Sequence, residues 1–342
     1  MRDPILDQAI RDKVVLLTGG AGTIGVALLQ RLLQYEPKAI RIFSRDESKQ
    51  YFLRDRCAHV RNLRFFVGDV RDRERLTRAM EYCDIVFHLA ALKHVESCEY
   101  NPFEAIKTNI MGTQNVIDVA LDHAIERVIF SSTDKAVNPA NAMGASKLMA
   151  EKLMSAANYY KGRRRTVFCS VRFGNVLGSS GSVVPTFLHR LGQGQPIEVT
   201  HPDMTRFMIP MSQAIDLLLA ALHLCTGGEI LIRKMPVVRV IDLARTLLQR
   251  HGLPADDAHL RVVGLRAGEK MYEELITTEE SARTFDLGDY YLIRPQIGAP
   301  AGKTRGKPVA VQTYTSDGVA PLEIPALQAL LETLAAEGEP GG

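Results

Sequence analysis

No apolar run in this sequence of 342 residues approaches the roughly 18 residues that would span a bilayer, so no transmembrane helix is expected. Residues Met1 to Lys13 are polar and carry both signs of charge, which predicts neither a signal peptide nor a transit peptide. Cysteine is sparse. Cys57, Cys83, Cys98, Cys169 and Cys225 are scattered without paired spacing. Such an odd, dispersed set predicts no disulfide framework and no metal site, and it fits a reducing compartment. An excess of one charge is also missing: 42 Lys and Arg face 39 Asp and Glu, a formal net charge of +3. That is too little to imply nucleic acid or a membrane surface as partner. The basic cluster Lys161, Arg163, Arg164 and Arg165 reads as a solvated turn. There is no internal repeat. A cytoplasmic protein is the expectation.

What is present is ordinary for a globular chain, with 46% hydrophobic and 24% charged residues. The length suits two domains, or one domain with a grafted lobe. Val14 to Leu17 is a buried-strand pattern that stops at Thr18-Gly19-Gly20. Further strand patterns cover Ala39 to Phe43, Asn62 to Val67, Asp84 to Leu89, Arg127 to Ser132 and Thr166 to Arg172. Helical spacing covers Ile24 to Leu33, Pro102 to His123 and Met143 to Tyr160. Alternation of this kind predicts an α/β, doubly wound parallel sheet. After Arg172 the elements shorten: a helix near Met211 to Cys225, a strand near Glu229 to Ile232 and a helix near Val240 to His251. The expected division is a dinucleotide-binding domain over 1–172 and a mainly substrate-binding lobe over 173–298, from which segments can rejoin the sheet. A tail follows over 299–342, with a flexible connection at 298–308, one helix near Ile324 to Ala336, and a disordered close from 337.

Thr18-Gly19-Gly20-Ala21-Gly22-Thr23-Ile24-Gly25 holds Gly19, Gly22 and Gly25 in GxxGxxG spacing between the first strand and the first helix. The first glycine permits a sharp turn, the second admits a pyrophosphate to the backbone, and the third lets helix and strand pack. Free N–H groups and the positive dipole end of the helix then face the phosphates. The second strand ends in Ser44 and Arg45, with Lys49 one turn on. A hydroxyl and cations favour a 2′-phosphate, hence NADP, unless Asp46 takes the acidic role at a free ribose. Asp69, with Val70 beside it, is placed to reach the adenine. Ala90 and Ala91 are small where backbone must pass close to the cofactor.

These motifs together resemble the extended short-chain dehydrogenase/reductases, whose Thr-Gly-x-x-Gly-x-x-Gly turn is matched by Thr18, Gly19, Gly22 and Gly25. Longer segments resemble the UDP-N-acetylglucosamine 4,6-dehydratases of bacterial surface glycan synthesis: Ser44 to Gln50, Gly68 to Arg75, Ala90 to Val95, Glu99 to Val116, Ser131 to Pro139, Phe173 to Pro185, Thr200 to Phe207 and Arg266 to Glu273. The resemblance runs from about Lys13 to Ile293. It implies a reaction in three stages. Hydride leaves carbon 4 of the sugar for the nicotinamide. A base then takes the hydrogen on carbon 5 while an acid protonates the departing carbon 6 hydroxyl, and the hydride returns to carbon 6.

That resemblance gives Thr133-Asp134-Lys135, at the end of the fifth strand, the catalytic roles. Thr133 is suited to bond the sugar oxygen, Asp134 to act as the acid and Lys135 as the base; a structural salt bridge is the plainer alternative. Lys147 matches the lysine that binds the nicotinamide ribose. The position four residues earlier, tyrosine in the superfamily, is here Met143, which cannot accept a proton. Members of the dehydratase family with methionine there still act, so the first base is left among Lys135, Lys147, Asp134 and an ordered water. Asn109 matches an asparagine that shapes the active site. Lys93 and His94 follow the fourth strand and could face cofactor or substrate.

For the substrate, Asn175 resembles a residue that holds the sugar-nucleotide phosphates, and Val183 and Val184 an apolar floor for uracil. Related chains often have arginine where Ser180 stands. The planar forks of Arg206 and Arg266 suit a pyrophosphate, and Glu269 the uridine ribose. UDP-N-acetylglucosamine is therefore the expected substrate, and self-association through the two long helices is expected. Two other readings stay open: a sugar 4-epimerase, which would want tyrosine at 143, and a non-catalytic NADP-binding partner subunit.

Overall fold

The computed structural model describes residues 2–266, 268–298, 305–310 and 312–337. The middle of the expected flexible connection, 299–304, and all but the first residue of the expected disordered close lie outside the described residues. No helix among the described residues is long and apolar enough to cross a membrane.

Six parallel strands form as expected: β1 (Val14–Thr18), β2 (Ala39–Ser44), β3 (Leu63–Val67), β4 (Ile85–His88), β5 (Arg127–Ser131) and β6 (Val167–Arg172). Their order across the sheet is β3-β2-β1-β4-β5-β6. All five residues of β1 are buried, because helices cover both faces of a parallel sheet and leave no polar side. Alternate residues serve opposite faces. Leu17 joins the core under helices Thr23–Leu33 and Met211–Leu224, whereas Leu16 joins the core under Gly112–Asp122 and Ala142–Tyr160. Burial of each such leucine contributes about 1.5–3 kcal/mol.

The sheet also takes strands from beyond residue 173. Ile230–Arg233 lies parallel to β6, and Tyr290–Ile293, Thr284–Asp286 and Lys307–Pro308 continue antiparallel to the edge. The lobe has its own core, in which Leu177, Val184, Phe187, Leu243 and Leu327 meet. Arg172, at the end of β6, ties the two parts together. Its buried fork bonds Glu151 at 2.6 and 3.0 Å and Glu280 at 2.8 and 3.1 Å. Removing one member would strand buried charge, at a cost of about 3–5 kcal/mol.

The expected single helix from Pro102 is broken in register. An α-helical turn, Pro102–Ala105, runs into a π-helical stretch, Ile106–Met111, before the α-helix resumes at Gly112. Helix Pro4–Ile10 forms in the segment read only as polar; Asp3 caps it and Leu6 and Ile10 enter the core.

Candidate active site

β1 lies between β2 and β4, the point where the winding of the sheet reverses and a crevice opens beyond the strand ends. Thr18 ends β1 there. Its Oγ1 meets His88 Nδ1 at 2.7 Å and accepts the Ala90 N–H at 3.3 Å. His88 Nε2 meets Thr113 Oγ1 at 3.0 Å, and that hydroxyl donates to the Asn109 carbonyl at 2.6 Å. The imidazole therefore donates from Nε2 and accepts at Nδ1. Burial, and then the charge of Lys147, push its pKa down to about 3, so it stays neutral.

The turn keeps its shape only with glycine, because side chains at two of its positions would collide with the chain's own backbone. Gly19 has φ +67°, and a Cβ there would lie 2.8 Å from the Ala90 nitrogen. At Gly25 a Cβ would lie 2.5 Å from the Gly20 carbonyl oxygen. Gly22 caps the helix Thr23–Leu33 with no side-chain bond, so no side chain caps its first-turn N–H groups, an arrangement suited to an anion. The loop at Ser180 reaches this helix end: Ser180 Oγ lies 2.8 Å from Thr23 Oγ1, and Lys93 Nζ donates to the Ser180 carbonyl.

At the end of β2, Arg45 is exposed and Ser44 half-buried. The Asp46 carboxylate is occupied as the cap of helix Glu47–Arg56, accepting the Lys49 N–H at 2.9 Å, with Lys49 Nζ at 3.3 Å. Asp69 is held by Arg71, at 2.7 Å to the guanidinium. Val70 is buried, with its carbonyl bonded by Asn115.

Just after β5, Thr133 caps a short turn, Asp134–Ala136, that presents the central pair. Asp134 is fully buried. Its Oδ1 accepts from the Thr133 hydroxyl at 2.9 Å and from Lys135 Nζ at 3.0 Å, while Oδ2 has no hydrogen-bond partner. Lys135 Nζ also lies 3.3 Å from Asn175 Oδ1 and 3.3 Å from Glu273 Oε1. Burial presses on the Lys135 ammonium, but Asp134 and then Glu273 outweigh it and hold its pKa above the ordinary lysine value.

Lys147 is buried on the helix Ala142–Tyr160. Its Nζ donates to the Ser131 carbonyl at 2.8 Å and sits 4.5 Å over the Phe130 ring. Burial lowers its pKa to about 8, against the smaller pull of Glu151. Met143 is buried one turn earlier, packed with Cys98 and Ala105. Asn109 lies in the π-helical stretch. Its amide bonds both backbone groups of Leu92, at 2.8 and 3.0 Å, and the Ser146 hydroxyl at 2.8 Å. It therefore fixes the loop after β4. π-Helical turns often accompany functional sites.

A cavity of about 490 Å³ opens beside this pair. Lys93, Lys135, Asn175, Val183, Arg206, Arg266 and Glu269 line it together with His94. Val184 is not on its wall; helical geometry turns it into the lobe core, at 1% exposure. Arg266 lies at the mouth, 3.4 Å from Glu96 and 3.8 Å from Glu198. The Arg206 guanidinium is largely engaged by backbone: it donates to the Thr205 and Lys270 carbonyls at 2.8 Å. Nothing in the sequence marks a role for Glu273, or the hydrogen bonds that His88 and Ser180 make. Glu273 stood at the end of a family-like segment, but its pairing with Lys135 depends on the fold.

The family of polysaccharide biosynthesis proteins matches residues 15–295. The chain is 44% identical over 290 residues to the inverting UDP-N-acetylglucosamine 4,6-dehydratase of Campylobacter jejuni, covering 83% of this chain and 84% of that one. It is 40% identical over 333 residues to the UDP-glucose 4-epimerase of Rickettsia typhi, covering 94% of this chain and 96% of that one. Among solved structures, Pen from Bacillus thuringiensis superposes with a TM-score of 0.90 at 42% identity, over 95% of this chain and 98% of that one. With these matches and a β3-β2-β1-β4-β5-β6 sheet, the chain belongs to the polysaccharide biosynthesis protein family and has the extended short-chain dehydrogenase/reductase fold.

Proposed function

We propose that the chain is an NADP-dependent UDP-N-acetylglucosamine 4,6-dehydratase that makes a UDP-4-keto-6-deoxy sugar for surface glycan synthesis. Residues 1–172 would hold the cofactor and 173–298 mainly the sugar nucleotide, ahead of a 299–342 tail. The observation that carries the reading is the Asp134–Lys135 couple, joined at 3.0 Å, with Lys135 on the wall of the cavity. An adjoining acid and base are what an elimination needs. The similarity to the Campylobacter jejuni enzyme supports the same reaction.

When bound, NADP supplies the hydride acceptor for carbon 4 and the hydride returned to carbon 6. The chain's own groups handle the protons. Lys135 faces the substrate and takes the hydrogen of carbon 5. Asp134 is the proposed acid; its Oδ2 is buried without a hydrogen-bond partner, beside Lys135 rather than on the cavity wall. Lys147, with its pKa near 8, orients the nicotinamide ribose and is the titratable group one helical turn from Met143. Arg45, Ser44 and Lys49 would meet a 2′-phosphate. Arg266, Asn175 and Glu269 would receive the UDP moiety, with Val183 beneath the uracil. Self-association through the long helices is part of the proposal, since Phe103, Met111 and Tyr159 are exposed there and large exposed apolar patches mark interfaces.

Incubation with UDP-N-acetylglucosamine and mass analysis of the product tests the reading. Loss of one water is the expected result. An unchanged mass with a new diastereomer would favour the epimerase, a reading the Rickettsia typhi relative keeps in view. Met143 argues against it, because a thioether cannot take the proton of the carbon 4 hydroxyl. No reaction with cofactor bound would favour a non-catalytic partner subunit.

A further inference from the structure

We propose that Glu273 is a positioning residue that takes the proton of the Lys135 ammonium and so frees the amine to act as base. The inference rests on the dehydratase reading above. Lys135 sits between two carboxylates, 3.0 Å from Asp134 Oδ1 and 3.3 Å from Glu273 Oε1. In that state its nitrogen has no lone pair, and it cannot remove a hydrogen from carbon 5. One of the neighbours must first accept a proton.

The surroundings single out Glu273. Asp134 Oδ1 already accepts two hydrogen bonds, from the Thr133 hydroxyl and from Lys135. Glu273 is buried with Oε2 unpartnered, as Asp134 Oδ2 also is, but its nearest other cation, Arg206, stands off at 3.8 Å. Arg206 spends its N–H groups on the Thr205, Lys270 and Met271 carbonyls. The charged groups facing the Lys135–Glu273 pair are Asp134 and Arg206. Burial raises the Glu273 carboxyl pKa, against Lys135, with Asp134 adding to the rise. The backbone of Glu273 is pinned by Ser316, whose Oγ accepts the Glu273 N–H at 3.0 Å.

The step balances within the pair. The proton moves from Nζ to Oε1, leaving a neutral amine and a neutral carboxylic acid. The amine lone pair then takes the proton of carbon 5, and Lys135 returns to the ammonium. Moving one proton between two opposite charges removes two buried ions, against the attraction that holds the pair together.

The test is the pH dependence of dehydration by the full chain with bound cofactor. Wild type should be flat over the neutral to alkaline range, since either the paired or the free amine state can act. Glu273→Gln should turn over roughly 100-fold more slowly at neutral pH, with KM little changed, and regain activity as pH rises through the lysine range. Glu273→Asp should fall between the two. Wild-type turnover in Glu273→Gln, or a loss by the same factor at every pH, overturns the proposal, because a merely structural glutamate would give a parallel curve. Should Glu273→Gln not fold, the alkaline displacement of the Glu273→Asp limb carries the test, and its absence is equally decisive. Failure of wild type to release dehydrated product would instead defeat the dehydratase reading itself.

Discussion

Thr18 and His88 join the C-terminal ends of β1 and β4 through a 2.7 Å hydrogen bond between fully buried side chains. The bond places the phosphate turn against the loop that begins at Leu89. It also makes the fold sensitive to acid. The folded imidazole has a pKa of about 3 against an ordinary 6.5. Between those values the unfolded chain binds the proton and the folded chain does not, so stability falls as pH drops and is unaffected above about 6.5. From pH 6.5 to 5 this group should remove about 2 kcal/mol. Urea unfolding of wild type and His88→Gln at both pH values checks it. The wild type should lose more stability than the variant, and equal losses would contradict a neutral buried His88.

Two of the turn glycines, Gly19 and Gly22, should separate stability from cofactor binding. A Cβ on Gly19 would meet Ala90 backbone at 2.8 Å, at φ +67°, whereas one on Gly22 would meet only the Gly19 carbonyl at 3.2 Å. Gly19→Ala should destabilise the cofactor-free chain by about 1–3 kcal/mol. Gly22→Ala should stay within about 1 kcal/mol of wild type yet bind the dinucleotide at least roughly tenfold more weakly, because its methyl would occupy phosphate space. Thermal melting and cofactor titration distinguish the two. Equal affinity in Gly22→Ala would remove the phosphate from that position.

The parallel strands were legible because each is a contiguous apolar run ended by turn residues. Helices with charged exposed faces were not. Glu47–Arg56 buries only Gln50 and Leu53, too few positions to imprint a period. The break at Ile106–Met111 was hidden for the opposite reason, since apolar residues continue through it. Within the site, Thr133, Asp134, Lys135 and Lys147 lie close in sequence, on one strand end and the next helix, and were singled out by resemblance. Glu273 acquires its role only through the long return of the chain, which pairs Glu274–Ile276 with Tyr314–Thr315 and brings Ser316 under its backbone.

Met143 should be dispensable for proton transfer. It is buried among Cys98 and Ala105 and offers no titratable group. Met143→Leu conserves volume, so its stability cost should stay below about 1.5 kcal/mol. Its dehydration rate should stay within roughly tenfold of wild type, whereas loss of a general acid or base costs about 10²–10⁴-fold. Lys147→Met should show a loss of that larger size, together with weaker cofactor binding. A collapse of turnover in a stably folded Met143→Leu would give the thioether a role that its chemistry does not explain.

Arg45 should decide between the two dinucleotides. It is exposed at the tip of β2, and the nearby carboxylate of Asp46 is committed to the Lys49 N–H and ammonium. The Asp46 carboxylate is thus engaged within its own helix end, while the Arg45 side chain stands exposed beside it. Arg45→Asp removes the cation and supplies the missing acid. A charge-assisted hydrogen bond contributes about 1.5–3 kcal/mol, so the ratio of NADP to NAD affinity should fall by roughly 10–100-fold. Added salt should narrow the wild-type preference, because an exposed phosphate contact is screened. Calorimetric titration of both cofactors, at low and high ionic strength, measures the ratio. An unchanged ratio in Arg45→Asp would mean that the 2′-position lies elsewhere and that Arg45 is only a surface charge.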